Sequence, residues 1–462
     1  MSTAIVWFRR DLRVQDNPAL NAAARAHECI IPLFIGTERW MGKGAQHWWL
    51  HHSLKALADS LAHYGLSLCL RRGDALEVLE SLVRAHDIQA VYFNRSFEPE
   101  ARREDEAIAA LLRSLGVRVL DYNATLLHNP DSPQIPSGKV FTPWWKRVRR
   151  ELAPSAPQYL EGLFSTPDVT SDALDDWCLL PKNPDWAVQF SDHWTPGEKG
   201  ALQKLEDFLD LGLHRYATAR NLPATPATSR LSPHLHFGEI SLNLVFHTAM
   251  HAFQEGRCTE QNLEVFISEL GWREFSASLL YHFPTLDSEP LRAEFARFPW
   301  QIQPARLHAW QRGLTGYPIV DAGMRELWHT GYMHNRVRMI VASFLVKDLL
   351  IDWREGAAWF LDTLLDADLA SNSASWQWVA GCGTDAAPWF RIFNPQLQGE
   401  THDPKGIYIK RWIPELRNLP DAYIHTPHEA PFPPPDYPKP IVDHKAARTR
   451  ALALYQECVK NG

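Results

Sequence analysis

The 462-residue sequence has few cysteines, no excess of basic residues and no long apolar run. Its six cysteines are scattered and form no Cys-x-x-Cys pair, which argues against a zinc site or a disulfide framework and favours a reducing compartment. The first residues lack the charged-then-apolar layout of a signal peptide, and no apolar run reaches the length of a membrane span. We therefore expect a cytoplasmic protein with no membrane partner and no bound metal.

The formal net charge of −7 does not predict nucleic-acid binding, which requires a local cluster of Lys and Arg rather than a basic total. The length predicts two domains, and a hydrophobic content of 45% is typical of a soluble globular protein. Nineteen tryptophans stand out, because Trp is both redox-active and able to stack on bases. The composition thus fits electron transfer or nucleic-acid binding.

Strand and helix patterns alternate in the first part of the chain, which predicts an α/β domain over residues 1–128 with a doubly wound parallel sheet. No Gly-rich phosphate loop follows the first strand, so NAD binding is not expected there. The predicted strands are residues 4–8, 29–35, 66–71, 88–93 and 117–121.

The rest of the chain carries no strand pattern. Residues 129–197 are rich in Pro, Ser and Asp and are interpreted as an interdomain linker. Residues 198–462 show a helical pattern and predict an all-α domain.

The stretch from Asp366 to Pro395, DADLASNSASWQWVAGCGTDAAPWFRIFNP, is dense in Asp, Asn and Trp. We expect an irregular backbone that lines a site, since the run is too polar for a core helix and contains many turn residues. A calcium loop is excluded, because Ala370, Ser371 and Gln377 stand where such a loop needs a ligand, a Gly and a Glu.

Several motifs together resemble the photolyase and cryptochrome family, especially bacterial cyclobutane pyrimidine dimer photolyases. They are WFRRDLRVQDNPAL near the start, TSRLSPHL at 228–235, ELGWREF at 269–275, TGYPIVDAGMRELWHTGYMHNRVRMIVASFLVKDLLIDWREG at 315–356, and the Asp-Asn-Trp stretch. They follow the family's order over nearly the whole chain. The resemblance implies an antenna domain at residues 1–128 and a helical FAD-binding catalytic domain at 198–462.

The resemblance implies FAD as the cofactor. Asn372 would face flavin N5, where a neutral amide favours the anionic reduced flavin and hence repair rather than signalling. Taken alone, Asn372 is an ordinary turn residue, and the hydroxyls at 228–232 are an ordinary helix N-cap. The residues implied to contact the diphosphate are Tyr216, Thr228, Ser229, Arg230, Leu231 and Ser232, and those implied to hold the rest of FAD are Arg273, Arg338, Asp366 and Asp368.

Glu269 and Trp272 are one turn apart on a predicted helix. By resemblance, Glu269 hydrogen-bonds the pyrimidine edge of the dimer and stabilises charge that develops there. Trp272 and Trp378 would form apolar walls for the dimer. The other implied contacts are Asn335 as a second hydrogen-bonding group, Met339 as a packing residue, and Arg336, Arg220, Arg391 and Lys405 as phosphate contacts.

Photolyases of the (6–4) type carry a His pair where this chain has Asn335 and Met339, which favours the cyclobutane dimer as substrate. The neighbouring His334 is off register and is given no catalytic role. Trp376, Trp353 and Trp300 match the family's chain of tryptophans that passes electrons from the surface to the flavin.

The resemblance therefore implies a monomeric, light-driven enzyme that acts on UV-damaged DNA containing pyrimidine dimers. The alternative is a cryptochrome-type blue-light signalling protein without repair activity, and a third interpretation is repair of (6–4) photoproducts or of dimers in single strands. The expected antenna chromophore is 5,10-methenyltetrahydrofolate, with 8-hydroxy-5-deazaflavin as the second choice and Glu100, with Trp48 or His51, as its contact. The segment GKGAQHWWLHHSLKAL is more similar to class III photolyases and plant cryptochromes than to enterobacterial photolyases.

Overall fold

Five short parallel strands form one sheet in the order β3-β2-β1-β4-β5. The computed structural model describes residues 2–135, 137–385 and 391–460. The strands are β1 (Thr3–Phe8), β2 (Cys29–Gly36), β3 (Cys69–Arg72), β4 (Ile88–Asn94) and β5 (Arg118–Tyr122). The predicted strands and their parallel pairing are confirmed, although β3 begins three residues later than predicted.

Helices connect the strands, so the central strands are apolar and almost completely buried, as expected for a parallel sheet. Helix α1 starts at Pro18, and the Asn17 side chain caps it by accepting a hydrogen bond from Leu20 N at 3.2 Å. The connecting helices are α1 (Pro18–Ala26), α2 (Glu38–Met41), α3 (Ala45–Ala62), α4 (Ala75–Ala85) and α5 (Pro99–Ser114).

The strand order reverses between β1 and β4, and the carboxyl ends of such strands are where open α/β sheets bind ligands. Here the side chain of Arg9 fills this position. Its guanidinium donates to the Asn94 carbonyl at 2.7 Å and lies 4.4 Å from the Trp7 ring and 4.9 Å from the Trp40 ring.

The remaining chain is helical. Its first helices are α6 (Phe141–Glu151), α7 (Glu198–Leu211), α8 (Tyr216–Ala219), α9 (Ser232–Phe237), α10 (Leu242–Gln254) and α11 (Glu260–His282). They are followed by α12 (Pro304–Gln311), α13 (Pro318–Thr330), α14 (Asn335–Ser343), α15 (Trp353–Thr363), α16 (Leu369–Ala380), α17 (Pro395–His402), α18 (Ile407–Trp412) and α19 (His444–Tyr455). A π-helical turn, Phe344–Asp348, continues α14. The predicted all-α character of this part of the chain is confirmed.

Helix α16 corrects the expectation of an irregular backbone after Asp366. The Asp368 side chain caps the helix by accepting a hydrogen bond from Ser371 N at 2.7 Å, and Gly381 ends it with φ of 85°. Its buried polar side chains are satisfied by backbone carbonyls: the Gln377 amide donates to Leu286 and Glu289, each at 2.7 Å. A polar sequence therefore forms a buried helix, because its partners lie far away along the chain.

The chain divides into two compact units. The first comprises residues 1–137, 144–214 and 229–281, and the second comprises residues 138–143, 215–228 and 282–462. In the part of the chain that the structure describes, no helix is long and apolar enough to cross a bilayer.

Candidate functional site

An ion pair between Arg338 on α14 and Asp366 lies in the second unit. Arg338 Nη2 is 2.8 Å from Asp366 Oδ2, and Arg338 Nε donates to the Met333 carbonyl at 2.7 Å. The Asp366 side chain is only 3% exposed. Burial alone would lower the pKa of Arg338, but the Asp366 carboxylate raises it above its usual value. The guanidinium is therefore permanently charged and fixed in orientation.

The ion pair continues through the backbone into α16. Asp368 N donates to the Asp366 carbonyl at 2.7 Å, and Asn372 N donates to the Asp368 carbonyl at 2.8 Å. The Asn372 side-chain amide donates to the Ala357 carbonyl at 3.1 Å. The side-chain oxygen of Asn372 is thus the acceptor that this residue can offer to a ligand. Arg338, Asp366, Asp368 and Asn372 therefore form one hydrogen-bonded array. The first and the last of these residues are 34 positions apart in the sequence.

This array suits a flavin. The edge of an isoalloxazine ring presents both donors and acceptors, which a fixed cation, carboxylates and a carboxamide in a largely buried setting can pair. Arg338, Asp366, Asp368 and Asn372 supply those groups, and Asp366 and Asn372 are buried. The residues present therefore fit FAD.

Four of the expected diphosphate contacts lie at the start of α9 in the first unit: Ser229, Arg230, Leu231 and Ser232. The N-cap of α9 is Leu231, and no side chain caps it among the described residues, so the interpretation of this run as a Ser/Thr N-cap is wrong. Arg230 adopts φ of 52°, an uncommon left-handed conformation for a residue other than Gly, and its guanidinium lies 4.3 Å from the Trp194 ring. The start of α9 thus brings the Ser229 and Ser232 hydroxyls and the Arg230 guanidinium close together in the sequence, and such groups can bind phosphate oxygens.

Tyr216 and Arg220, at the two ends of α8 in the second unit, form a pair. The Arg220 guanidinium lies 5.5 Å from the centroid of the buried Tyr216 ring. Thr228 is the last residue of the segment 215–228, which belongs to the second unit.

Glu269, Trp272 and Arg273 lie on α11 in the first unit, and all three are half-buried. Glu269 and Trp272 are one helical turn apart, as predicted. Trp272 packs edge-on against Phe275 with 5.9 Å between ring centroids, and Arg273 Nη1 donates to the Thr125 carbonyl at 2.5 Å. Arg273 is thus held by the chain that follows the sheet.

Glu274, which follows Arg273, was missed by sequence reasoning. Its fully buried carboxylate accepts hydrogen bonds from Leu127 N at 3.0 Å, from His128 N at 3.2 Å and from His128 Nδ1 at 2.7 Å. Glu274 therefore fastens α11 to residues 127–128. No pattern in the sequence distinguishes it from an exposed helical Glu.

Helix α14 brings Arg336 and Met339 together and exposes Asn335 at its first turn. Arg336 Nη2 donates to Asn221 Oδ1 at 2.7 Å, and Arg336 Nη1 lies 3.6 Å from Met339 Sδ. His334 caps this helix, because its Nδ1 accepts a hydrogen bond from Arg336 N at 3.2 Å. Burial and the nearby Arg338 and Arg336 lower the pKa of His334 to about 3, so this imidazole is neutral at physiological pH.

Trp378, on α16, is half-buried, and its indole N–H donates to the Asp385 carbonyl at 3.1 Å.

The three tryptophans of the expected electron chain differ in burial. Trp376 and Trp353 are buried, and Trp300 is half-buried. Trp376 lies so close to Gly356 of α15 that a Cβ there would be 2.1 Å from the indole. The ring of Trp376 also meets Phe360 at 5.0 Å and Trp310, a residue given no role by sequence reasoning, at 6.3 Å between centroids.

Glu100, the expected antenna contact, lies in the first turn of α5. Its side chain is 66% exposed and pairs with Arg39 at 2.5 Å. This hydrogen bond and the Arg39 charge lower the pKa of Glu100 below its usual value.

The whole chain is similar to known proteins. The family models for DNA photolyase and for the FAD binding domain of DNA photolyase match residues 4–161 and 266–457. The deoxyribodipyrimidine photo-lyase of Agrobacterium fabrum is 49% identical, with 98% of this chain and 97% of the relative covered. Cryptochrome-1 of Arabidopsis thaliana is 36% identical, with 97% of this chain and 69% of the relative covered. The crystal structure of a class III photolyase from Agrobacterium tumefaciens aligns with a TM-score of 0.95 at 47% identity, covering 100% of this chain and 98% of that chain.

Proposed function

Because the chain belongs to the photolyase and cryptochrome family, we propose that it is a light-driven DNA repair enzyme that splits cyclobutane pyrimidine dimers. The observation that carries the proposal is the hydrogen-bonded array of Arg338, Asp366, Asp368 and Asn372, which ends in a carboxamide. A carboxamide has no acidic proton to give up, and plant-type cryptochromes carry Asp at this position. Asn372 therefore favours repair over signalling.

FAD is the proposed cofactor, and in its reduced form it supplies the electron that light excites. Arg338, Asp366 and Asp368 are proposed to hold the ring edge and ribose, and Asn372 to offer its side-chain oxygen near N5. Tyr216 and residues 228–232 are proposed to contact the diphosphate, and Arg273 is proposed to contact another part of FAD. The hydroxyls of Thr228, Ser229 and Ser232 and the Arg230 guanidinium support the diphosphate assignment, because these groups can donate hydrogen bonds to phosphate oxygens.

Glu269 is proposed to hydrogen-bond the pyrimidine edge of the dimer and to stabilise the charge that develops there. Photolyases belong to the enzymes that take their target out of the base stack. Trp272 and Trp378, both half-buried, offer apolar ring faces on which an extruded dimer can stack. The exposed amide of Asn335 is proposed as a second hydrogen-bonding group, and Met339 as a packing residue for the dimer.

Arg336 and Arg220 are proposed to contact DNA phosphates. The hydrogen bond from Arg336 to Asn221 holds that guanidinium in place. These contacts position the strand without reading its sequence, and the affinity for DNA should fall steeply with added salt. We propose a cytoplasmic monomer.

Trp376, Trp353 and Trp300 are proposed to relay electrons from the surface inward. Their burial supports this order, because Trp300 is half-buried whereas the other two are buried. The similarity to a class III photolyase structure also favours that subclass.

We propose 5,10-methenyltetrahydrofolate as the antenna and 8-hydroxy-5-deazaflavin as the second choice, with Glu100 as a contact. The exposed carboxylate of Glu100, which pairs with the half-buried Arg39, supports an accessible polar contact there. Chromatography of the pigment released from purified protein identifies the chromophore: a pterin spectrum supports the first choice, and a deazaflavin spectrum contradicts it.

The alternative is a blue-light signalling protein, which the 36% identity to a plant cryptochrome keeps open. Illuminating the protein, with its flavin fully reduced, together with a duplex that contains a thymine dimer decides between them. Loss of the dimer in light and not in darkness supports repair. An intact dimer, with damaged and undamaged duplexes bound equally, supports the signalling alternative.

A further inference from the structure

Lys347 is a buried lysine that the proposed mechanism does not use. It lies in the π-helical turn Phe344–Asp348 that continues α14, and it is only 3% exposed. π-Helical turns are rare in proteins, and those that occur are frequently found at functional sites. A buried ammonium group is costly unless it has partners, so the contacts of Lys347 indicate what it does.

The ammonium group donates to the backbone carbonyl of Arg391. Nearby, the backbone N–H of Phe393 donates to Ser343 Oγ at 3.3 Å. Two side chains from consecutive turns therefore fasten residues 391–393 to the end of α14. Lys347, Ser343, Arg391 and Phe393 also line a cleft together with Trp378, the proposed wall for the dimer.

Charged groups of α19 lie next to Lys347, around its neighbour Asp348. Asp348 is paired with His444 of α19 at 2.6 Å, and Arg450 of α19 donates to the Asp348 carbonyl at 2.9 Å. The charges that act on Lys347 are those of Asp348 and Arg391. Burial raises the pKa of the Cys382 thiol to about 12, so this thiol is neutral, and α16 contributes no titratable side chain.

We propose that Lys347 is a positioning residue for DNA binding: it fixes the backbone at Arg391, so that the Arg391 guanidinium stands beside Trp378 and contacts a phosphate of the damaged strand. This inference rests on the proposed function. The Arg391 side chain is exposed, as a phosphate contact must be, while its backbone is held from inside the protein.

The position of this lysine makes DNA binding sensitive to pH. Burial lowers the pKa of Lys347 to about 7, although Asp348 acts in the opposite direction. The ammonium form is a stronger hydrogen-bond donor to the Arg391 carbonyl than the neutral amine. The contribution of Lys347 is therefore present below pH 7 and is lost as the pH rises through 7, with an expected effect of roughly fivefold in affinity.

The test measures the dissociation constant for a dimer-containing duplex in darkness between pH 6 and pH 9. The wild-type dissociation constant should rise about fivefold over this range. Lys347→Met should bind about fivefold more weakly at pH 6 and lose the pH dependence, whereas Lys347→Arg should keep the pH 6 affinity up to pH 9. Lys410→Met removes the same charge from a pair with Asp421 and should retain the wild-type pH profile.

Ser343→Ala provides a second route, because it removes the other fastening and keeps the lysine. It should weaken binding at every pH and retain the pH dependence. A Lys347→Met protein that binds the duplex with the wild-type affinity and pH dependence overturns the proposal. If the Lys347 variants do not fold, a Ser343→Ala protein with the wild-type dissociation constant overturns it instead. If wild-type protein does not prefer the damaged duplex at any pH and does not repair it, the proposed function itself is wrong.

Discussion

Arg338 and Asp366 join α14 to the segment that leads into α16 by an ion pair of 2.8 Å. The same α14 carries Asn335 and Arg336 on its first turn, and α16 carries Asn372 and Trp378. One ion pair thus connects the helix proposed to contact the lesion with the helix proposed to contact the flavin.

The first prediction concerns that pair. Asp366→Asn keeps the shape but removes the charge, and it should lower the free energy of unfolding by about 1.5–3 kcal/mol, as for a hydrogen bond to a charged group. Because Arg338 then loses its fixed orientation, the ratio of FAD to protein should also fall. Absorbance of the purified protein and thermal unfolding measure both effects. The exposed Asp362 on α15 provides the control, and equal FAD content in Asp366→Asn and Asp362→Asn contradicts the prediction.

The second prediction concerns the carboxamide at residue 372. Asn372→Asp introduces a group that can carry an acidic proton, so the fully reduced flavin should persist for a shorter time in air. Flavin absorbance, followed after photoreduction, measures this persistence. The control is Asn394→Asp, which replaces the N-cap of α17 by an equally good cap and should leave the flavin unchanged. Identical reoxidation of all three proteins argues against a flavin contact for Asn372.

The third prediction follows from the neutral His334. Its pKa is lowered to about 3 in the folded protein, whereas an unfolded His titrates near 6.5. The unfolded chain therefore takes up a proton first, and stability falls as the pH decreases from about 6.5 towards about 3. His334→Asn keeps an N-cap acceptor without a titrating group. The number of protons taken up on unfolding between pH 4 and 6 should be lower by about one in this variant than in the wild-type protein. An unchanged number would mean that another group causes the acid sensitivity.

The fourth prediction separates the tryptophan relay from repair. Trp376→Phe keeps an aromatic ring beside Gly356 but removes the redox-active indole. Photoreduction of oxidised flavin should slow by at least about tenfold, a barrier increase of about 1.4 kcal/mol. Dimer repair by chemically reduced protein should be unchanged. Trp412→Phe replaces a partly buried Trp outside the proposed relay and should affect neither rate. Photoreduction at the wild-type rate in Trp376→Phe would show that Trp376 is not part of the relay.

Local patterns predicted the sheet well, because alternating apolar strands and helices specify a buried parallel sheet within short windows. Helix α16 was not predicted, because its stability depends on partners that are distant in the sequence. Gln377 needs the carbonyls of Leu286 and Glu289, and Asn372 needs that of Ala357. A polar run predicts an irregular backbone as long as the positions of those acceptor carbonyls are not known.

The same reason explains which contacts of the candidate residues could be expected from the sequence. The motif resemblance identified Arg338 and Asp366 by type and order, and the structure adds that they touch. Nothing in the sequence indicates that the buried Glu274 hydrogen-bonds His128 or that Lys347 donates to the backbone carbonyl of Arg391. Side chains that act through a distant backbone group leave no periodic signal.

The most direct test of the central claim is repair of a thymine dimer in a short duplex under blue light, with a dark control. Wild-type protein with fully reduced flavin should remove the dimer only in light. Glu269→Gln should repair at least about tenfold more slowly, because the charge on the pyrimidine edge is then less stabilised. Glu264→Gln, on the same helix at the exposed pair with Arg149, should repair at the wild-type rate. A dimer that stays intact with the illuminated wild-type protein contradicts the repair function.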